Sequence, residues 1–336
     1  MRSRTRLALR FVVIAGASVV YGCGDSSGPA ERSAPPATAF PSAKGKTLEQ
    51  VISKADGAAR VVVSPTGMVY RRGVNRYGFG VFTLGREQVT NADVALYFAH
   101  GAAGKARGPY PARFENLVTK PAFRARTTAA DPDAATGVYV VPKVRLDMNG
   151  EWRVVALVKI GDRLGATRLP SAVVGQPPAE KATLGGGEPR APPSAGQQAP
   201  RMHTPTAAEV GGDLSKIDTR VPPDDMHDID FAEVLGNRPI VLLFATPQLC
   251  VSRVCGPVVD IAEEVKQEFG DQAAFVHMEI FKDNDPNKGV RPQVSAFRLP
   301  TEPWLFVIDR RGVIRTAIEG AFSADELREA LRRVAE

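Results

Sequence analysis

The sequence predicts a multidomain chain, an N-terminal antiparallel β-sandwich followed by a C-terminal α/β domain. Three observations predict it. Residues 24–46 and 173–200 lack any apolar period and are rich in Pro, Gly, Ser and Ala, so they read as flexible linkers. The stretch 47–172 carries short runs of alternating apolar residues between Gly, Pro, Asn and Asp clusters, the pattern of a sandwich. The stretch 201–336 alternates continuous apolar runs with helix-spaced ones, which requires a sheet covered by helices. The expected division is therefore a signal segment (1–22), a tether (23–46), the sandwich (47–172), a linker (173–200) and the α/β domain (201–336). The linker has no apolar residues spaced to dock, so the two domains are expected to move independently.

The chain opens MRSRTRLALRFVVIAGASVVYGC, a basic region and a short apolar run from Phe11 to Val20. That run is about half of the roughly 20 residues that a membrane-spanning helix needs, so it reads as an export signal. Val20-Tyr21-Gly22-Cys23 resembles a bacterial lipobox, which implies cleavage before Cys23 and its lipidation. The protein would then be extracytoplasmic and held to the bacterial membrane by its first mature residue. The alternative is an ordinary secretory signal with Cys23 incidental. Without Arg2, Arg4, Arg6 and Arg10 the formal net charge falls from +6 to +2, so the basic balance gives no reason to expect a nucleic-acid partner. A hydrophobic content of 43% excludes a disordered chain, and three cysteines are too few for a disulfide-stapled scaffold or a four-thiolate zinc site.

In the sandwich, strands are expected at Gly78–Leu84, Asp93–Ala99, Phe123–Thr127, Gly137–Leu146 and Glu151–Ile160, with Asn149-Gly150 as a hairpin signal between the last two. The stretch GVYVVPKVRLDMNGEWRVVALV resembles the closing hairpin of small bacterial Ig-like extracytoplasmic domains of the YtkA-like group. That likeness implies a fold and no activity.

In the α/β domain, Ile240 to Phe244 (IVLLF) is a run suited to a central strand. A helix follows with Val258, Ile261, Ala262, Val265 and Phe269 on one face and Gly270 as its stop. Phe275 to Ile280, Trp304 to Ile308 and Val313 to Ile318 read as strands. Ser323 and Glu326 form a capping box for a last helix buried through Leu327, Leu331 and Val334.

Strand IVLLF, a loop with Cys250, a helix with Pro257, then a proline before strand-turn-strand and a terminal helix resemble the thioredoxin superfamily. The usual Cys-x-x-Cys is here Cys-x-x-x-x-Cys, within FATPQLCVSRVCGPVVD. Two residues five apart in one helix are turned by about 140° and offset by about 7.5 Å, beyond disulfide reach. Cys250 must therefore lie before the helix if it is to meet Cys255, with Ser252 as the expected N-cap. The resemblance implies Cys250 as attacking thiol, activated at the helix entrance, and Cys255 as resolving thiol. It also implies a cis-proline at Pro303, with Glu302, Pro303 and Trp304 forming the substrate groove and an extracytoplasmic thiol or disulfide protein as partner. Leu242 and Leu243 stand where many members bury an acid, and Leu249 where an aromatic precedes the first cysteine.

Two other readings of the pair stay open: a structural disulfide in a non-catalytic interaction protein, and a Sco-like copper site. Met202-His203, Met226-His227 and His277-Met278 supply ligands that suit Cu(I) beside thiolates. His277 falls mid-strand, where a core or sheet-face histidine is expected. The run from Asp283 to Gly289 mimics the start of a calcium loop but has Lys288 at the glycine position and Val294 where a bidentate acid belongs. No metal or cofactor is therefore assigned on the sequence.

Overall fold

The computed structural model of the chain describes residues 28–175, 184, 191–250 and 252–335; the expected signal segment and Cys23 lie outside them. Among the described residues, no helix is long and apolar enough to cross a membrane.

The N-terminal strands are β1 (Val61–Pro65), β2 (Gly73–Thr83), β3 (Asp93–His100), β4 (Arg107–Pro111), β5 (Arg113–Asn116), β6 (Gly137–Leu146), β7 (Gly150–Ile160) and β8 (Arg163–Val174). They pair antiparallel into two sheets, in the orders β1-β2-β6-β5 and β4-β3-β7-β8. The period of 2 explains the layering. Along β6, Tyr139 and Val141 enter the core between the sheets, whereas Val138 and Val140 point out of it and join the core of the α/β domain. The outer face of the second sheet is covered by α1 (Leu48–Ile52), through Leu48 and Val51, together with Phe40 and Ala43. Part of the expected tether is thus built into the fold, and Arg32 also bridges to Phe114.

The second unit has one sheet in the order β10 (Ala274–Met278), β9 (Ile240–Phe244), β11 (Trp304–Ile308), β12 (Ile314–Glu319). β9 and β10 run parallel and β11 is antiparallel to both of its neighbours. One face is covered by α4 (Cys255–Phe269) and α6 (Ala324–Ala335); α4 buries Val258, Ile261, Ala262, Val265 and Phe269, the predicted stripe. The other face carries Leu242, Phe244, Trp304 and Phe306 against Phe231 of α3 (Phe231–Val234) and Val294 of α5 (Pro292–Ala296). Residues 196–199 of the expected linker run along β12, with Gly196 N–H donating to Ile314 O at 2.8 Å and Ala199 N–H to Gly312 O at 2.9 Å.

Two expectations are corrected. Phe123–Thr127 is not a strand: a 3-10 turn at Pro121–Phe123 leads into α2 (Arg126–Ala130). The backbone there bonds outside any sheet, Ala125 N–H to the Asp260 carboxylate at 3.1 Å and Arg126 N–H to Val221 O at 2.8 Å. The domains also do not stand apart. Half-buried Glu326 of α6 accepts two hydrogen bonds from Arg76 of β2, at 2.8 and 2.6 Å, and Glu319 accepts from Met68 N and Val69 N. The composition of 173–200 carries no information about these charges, which come from elements on either side of it.

Candidate functional site around the cysteine pair

The loop between β9 and α4 carries Cys250, and α4 begins at Cys255. The two form a disulfide with Cα atoms 6.1 Å apart. Cys250 is partly exposed, while Cys255 is wholly buried against Val258 and Val259 in the core under α4. Ser252 does not cap the helix. Val254 holds the N-cap position without a side-chain bond, and the Ser252 hydroxyl lies instead 3.0 Å from Cys250 Sγ.

Glu302 and Pro303 form a cis peptide bond in the loop before β11. A Glu302 oxygen and the two sulfurs lie within 4.8 Å of one another, and Oε2 of Glu302 is buried with no hydrogen-bond partner. Burial, reinforced by the nearby Glu279 carboxylate, pushes the Glu302 carboxyl up to about 8. Trp304 is turned the other way: its ring stacks on Phe306 in the opposite layer, and its indole N–H donates to Thr301 Oγ1 at 3.1 Å.

A cleft of about 400 Å³ opens beside the disulfide. One wall is Pro247, Gln248, Arg253 and Pro257; the other is Thr127, Thr128 and Asp131 from the sandwich. The walls are tied together by Ala135 N–H donating to Arg253 O at 2.9 Å and by the Arg253–Asp133 ion pair at 3.1 Å. Helices α2 and α4 approach so closely that a Cβ at Gly256 would sit 2.7 Å from Thr128 Oγ1.

Behind the loop lies a second set of buried polar groups, most of which the sequence reading missed. Glu279 accepts from Thr219 N and Thr219 Oγ1, both at 2.7 Å, and burial raises its carboxyl pKa. His277 is buried as expected, but its Nδ1 meets Asp224 Oδ2 at 2.7 Å and its Nε2 meets Ala245 O at 3.1 Å. Burial alone would lower the His277 pKa; the Asp224 and Asp218 carboxylates outweigh it and raise it to about 10. The signal for Glu279 was available, since it stands two positions after His277 and so on the same strand face. Asp218 and Asp224 lie in a stretch without period, where only a structure brings them to β10. No histidine joins the cysteine pair in a metal-like grouping among the described residues; His227 and His277 group with the two aspartates instead.

No family model matches the chain, and no curated protein matches it. Among solved structures, it is similar to a chain described as a thiol:disulfide interchange protein, thioredoxin family protein, from Chlorobium tepidum TLS. The two are 16% identical with a TM-score of 0.30, over 42% of this chain and 97% of that one. What the α/β unit itself shows is a mixed four-stranded sheet, a cysteine pair at a helix entrance and a cis-proline loop beside it.

Proposed function

We propose that the protein is an extracytoplasmic thiol-disulfide oxidoreductase or redox sensor in which a thioredoxin-like domain carries the Cys250–Cys255 pair. An Ig-like sandwich acts as spacer and groove wall, and a lipid on Cys23 anchors the chain to the bacterial membrane. The observation that carries the reading is the asymmetry of the pair: one sulfur is open to the cleft, the other is buried, and a partnerless carboxyl lies within reach of both.

In the oxidising direction a partner thiolate attacks Cys250 Sγ and the Cys250–Cys255 bond breaks. Cys255 leaves as a thiolate and takes the proton of Glu302, which is protonated at neutral pH. The partner's second thiol then attacks the mixed disulfide and releases Cys250. The partner loses two electrons and the pair gains them. Glu302 thereby supplies the buried acid that Leu242 and Leu243 cannot.

Cys255→Ser should accumulate mixed disulfides with extracytoplasmic proteins and Cys250→Ser should not. A pair that resists reduction below about −300 mV, together with a Cys255→Ser variant that traps nothing, would make the bond a structural staple.

A further inference from the structure

We propose that Asp218, Asp224, His227 and His277 form a buried four-ligand centre for a divalent transition-metal ion, separate from the cysteine pair. The four side chains are at most 3% exposed, and one ligand atom from each lies within 4.8 Å of the other three.

The distances fit a small ion. A tetrahedron with bonds of 2.0–2.1 Å has edges of roughly 3.3–3.4 Å. His227 Nε2 is 3.3 Å from Asp224 Oδ1 and 3.6 Å from Asp218 Oδ2, and His277 Nδ1 is 4.0 Å from Asp218 Oδ1. Each aspartate meets the two histidines through different oxygens, so ion binding requires a small turn of the carboxylates: the 2.7 Å contact from His277 Nδ1 to Asp224 Oδ2 opens as the ion takes the place of the shared proton, and the 4.0 Å one closes.

His227 Nε2 is buried and has no hydrogen-bond partner, although it faces both carboxylates. An unpaired ring nitrogen in that position costs free energy that a coordinate bond would recover. The surroundings hold the other ligands as supporting groups do in metal sites. Ala245 O accepts from His277 Nε2, fixing Nδ1 as the ligand atom. Asp218 accepts from Arg220 N and Asp224 N at 2.7 Å, and Asp224 accepts from Met226 N at 2.9 Å.

The charge points the same way. Two carboxylates are buried here, and the proton that His277 shares with Asp224 answers at most one of them. Arg220 cannot answer them, because its guanidinium is committed to Asp260, Phe123 O and Pro222 O. Two imidazoles with two carboxylates suit zinc and its neighbours. They are too soft and too few for calcium or magnesium, and they hold no sulfur for Cu(I). Four protein ligands leave no open position, so the ion would be structural. It would pin the irregular segment 218–227 to the edge of β10, and through Thr219 to Gln248 in the cysteine loop.

The test uses the full chain with the disulfide closed, stripped by a chelator and then offered Zn²⁺ against a chromophoric competitor. One retained equivalent is expected, with an X-ray absorption spectrum showing nitrogen and oxygen neighbours only. His227→Gln and Asp218→Asn should each weaken binding by about 100-fold or more. No retained equivalent, sulfur in the spectrum, or unchanged affinity in folded variants would overturn the proposal. If circular dichroism shows that neither variant folds, the stoichiometry and spectrum of the unsubstituted chain decide. None of these readouts depends on the thiol chemistry, so either proposal can fail without the other.

Discussion

The sandwich and the α/β unit are both sheets buried on two faces, yet they fill their interiors with different groups. Between the sandwich sheets the core is aromatic and aliphatic: Tyr70 stacks on Tyr77, Phe79 on Tyr139, and Phe98 meets Tyr77 edge-on. Under α4, by contrast, the apolar layer gives way to His277, Asp218, Asp224, His227 and Asp260. The cause lies in the backbone. In a sandwich of paired strands the N–H groups are consumed by ladders, and a buried carboxylate finds no donors. The α/β unit brings irregular loops to its edge. Their free N–H groups, from Thr219, Arg220, Asp224 and Met226, each reach a buried acid. Chemistry can therefore be housed in the second unit at a cost that the first could not meet.

Where the two units meet, that distinction should fail, and the largest effect is expected there. Arg76 projects from the sandwich to Glu326 and Ala321 O, and Arg113 approaches the same acid at 3.6 Å. Glu115 is close enough that burial and the Glu326 charge push its carboxyl up to about 7. Arg76→Met would leave these acids facing each other without their main counter-ion, at a cost of about 3–5 kcal/mol. In urea the domains should then unfold in two steps at lower concentration, where the unsubstituted chain unfolds in one. An unchanged single transition would show that the interface charges do not hold the domains together.

The comparison sharpens at Glu302, an acid whose Oε2 is buried without a hydrogen-bond partner. Its carboxyl is raised to about 8 in the fold against an ordinary 4.5. Between those values the native chain holds a proton that the unfolded chain has released. This contribution therefore destabilises the fold progressively as pH rises from about 4.5 to about 8, and stays level above. With some solvent contact remaining, the loss is on the order of 2–3 kcal/mol. Glu302→Gln should abolish that slope in pH-dependent denaturant titrations and make the protein more stable at pH 8. It should also slow thiol exchange at neutral pH by about 100-fold, as loss of a general acid does. A variant that keeps both the slope and the rate would remove Glu302 from the proton path.

Residue patterns made the frame legible where burial is continuous or periodic. IVLLF, Trp304–Ile308 and the α4 stripe closing at Gly270 all lie where composition placed them, because packing and propensity agree there. β4 was hidden, since Gly108, Pro109 and Pro111 read as punctuation although an edge strand tolerates them. β8 was hidden in the same way by Gly165 and Pro170. α2 is not legible in the sequence, because the backbone at its start bonds to Asp260 and Val221, more than 90 residues away. In the site, spacing alone placed Cys250 outside the helix. It could not show that Trp304 turns from the groove, which the strand register decides, nor that the wall opposite the cysteines comes from the sandwich.

That borrowed wall yields the smallest expected effect. Asp133 pairs with Arg253 at 3.1 Å, but the Asp133 side chain is 59% exposed, so the pair is screened and its contribution to stability is at most about 1 kcal/mol. The backbone bond from Ala135 to Arg253 O holds the same two loops without it. Asp133→Ala should therefore leave the urea midpoint almost unmoved and the rate with a small dithiol within about twofold, since a small reductant needs only Cys250. What should change is the response to charge. Arg253 lies in the cleft beside the disulfide, and freeing its guanidinium favours partners with acidic residues next to the reacting thiol, most strongly at low salt. Exchange rates with acidic and basic cysteine peptides, compared at low and high ionic strength, read this out. Equal rates for both peptides in the Asp133→Ala variant would mean that the sandwich wall only closes the cleft and does not select what enters it.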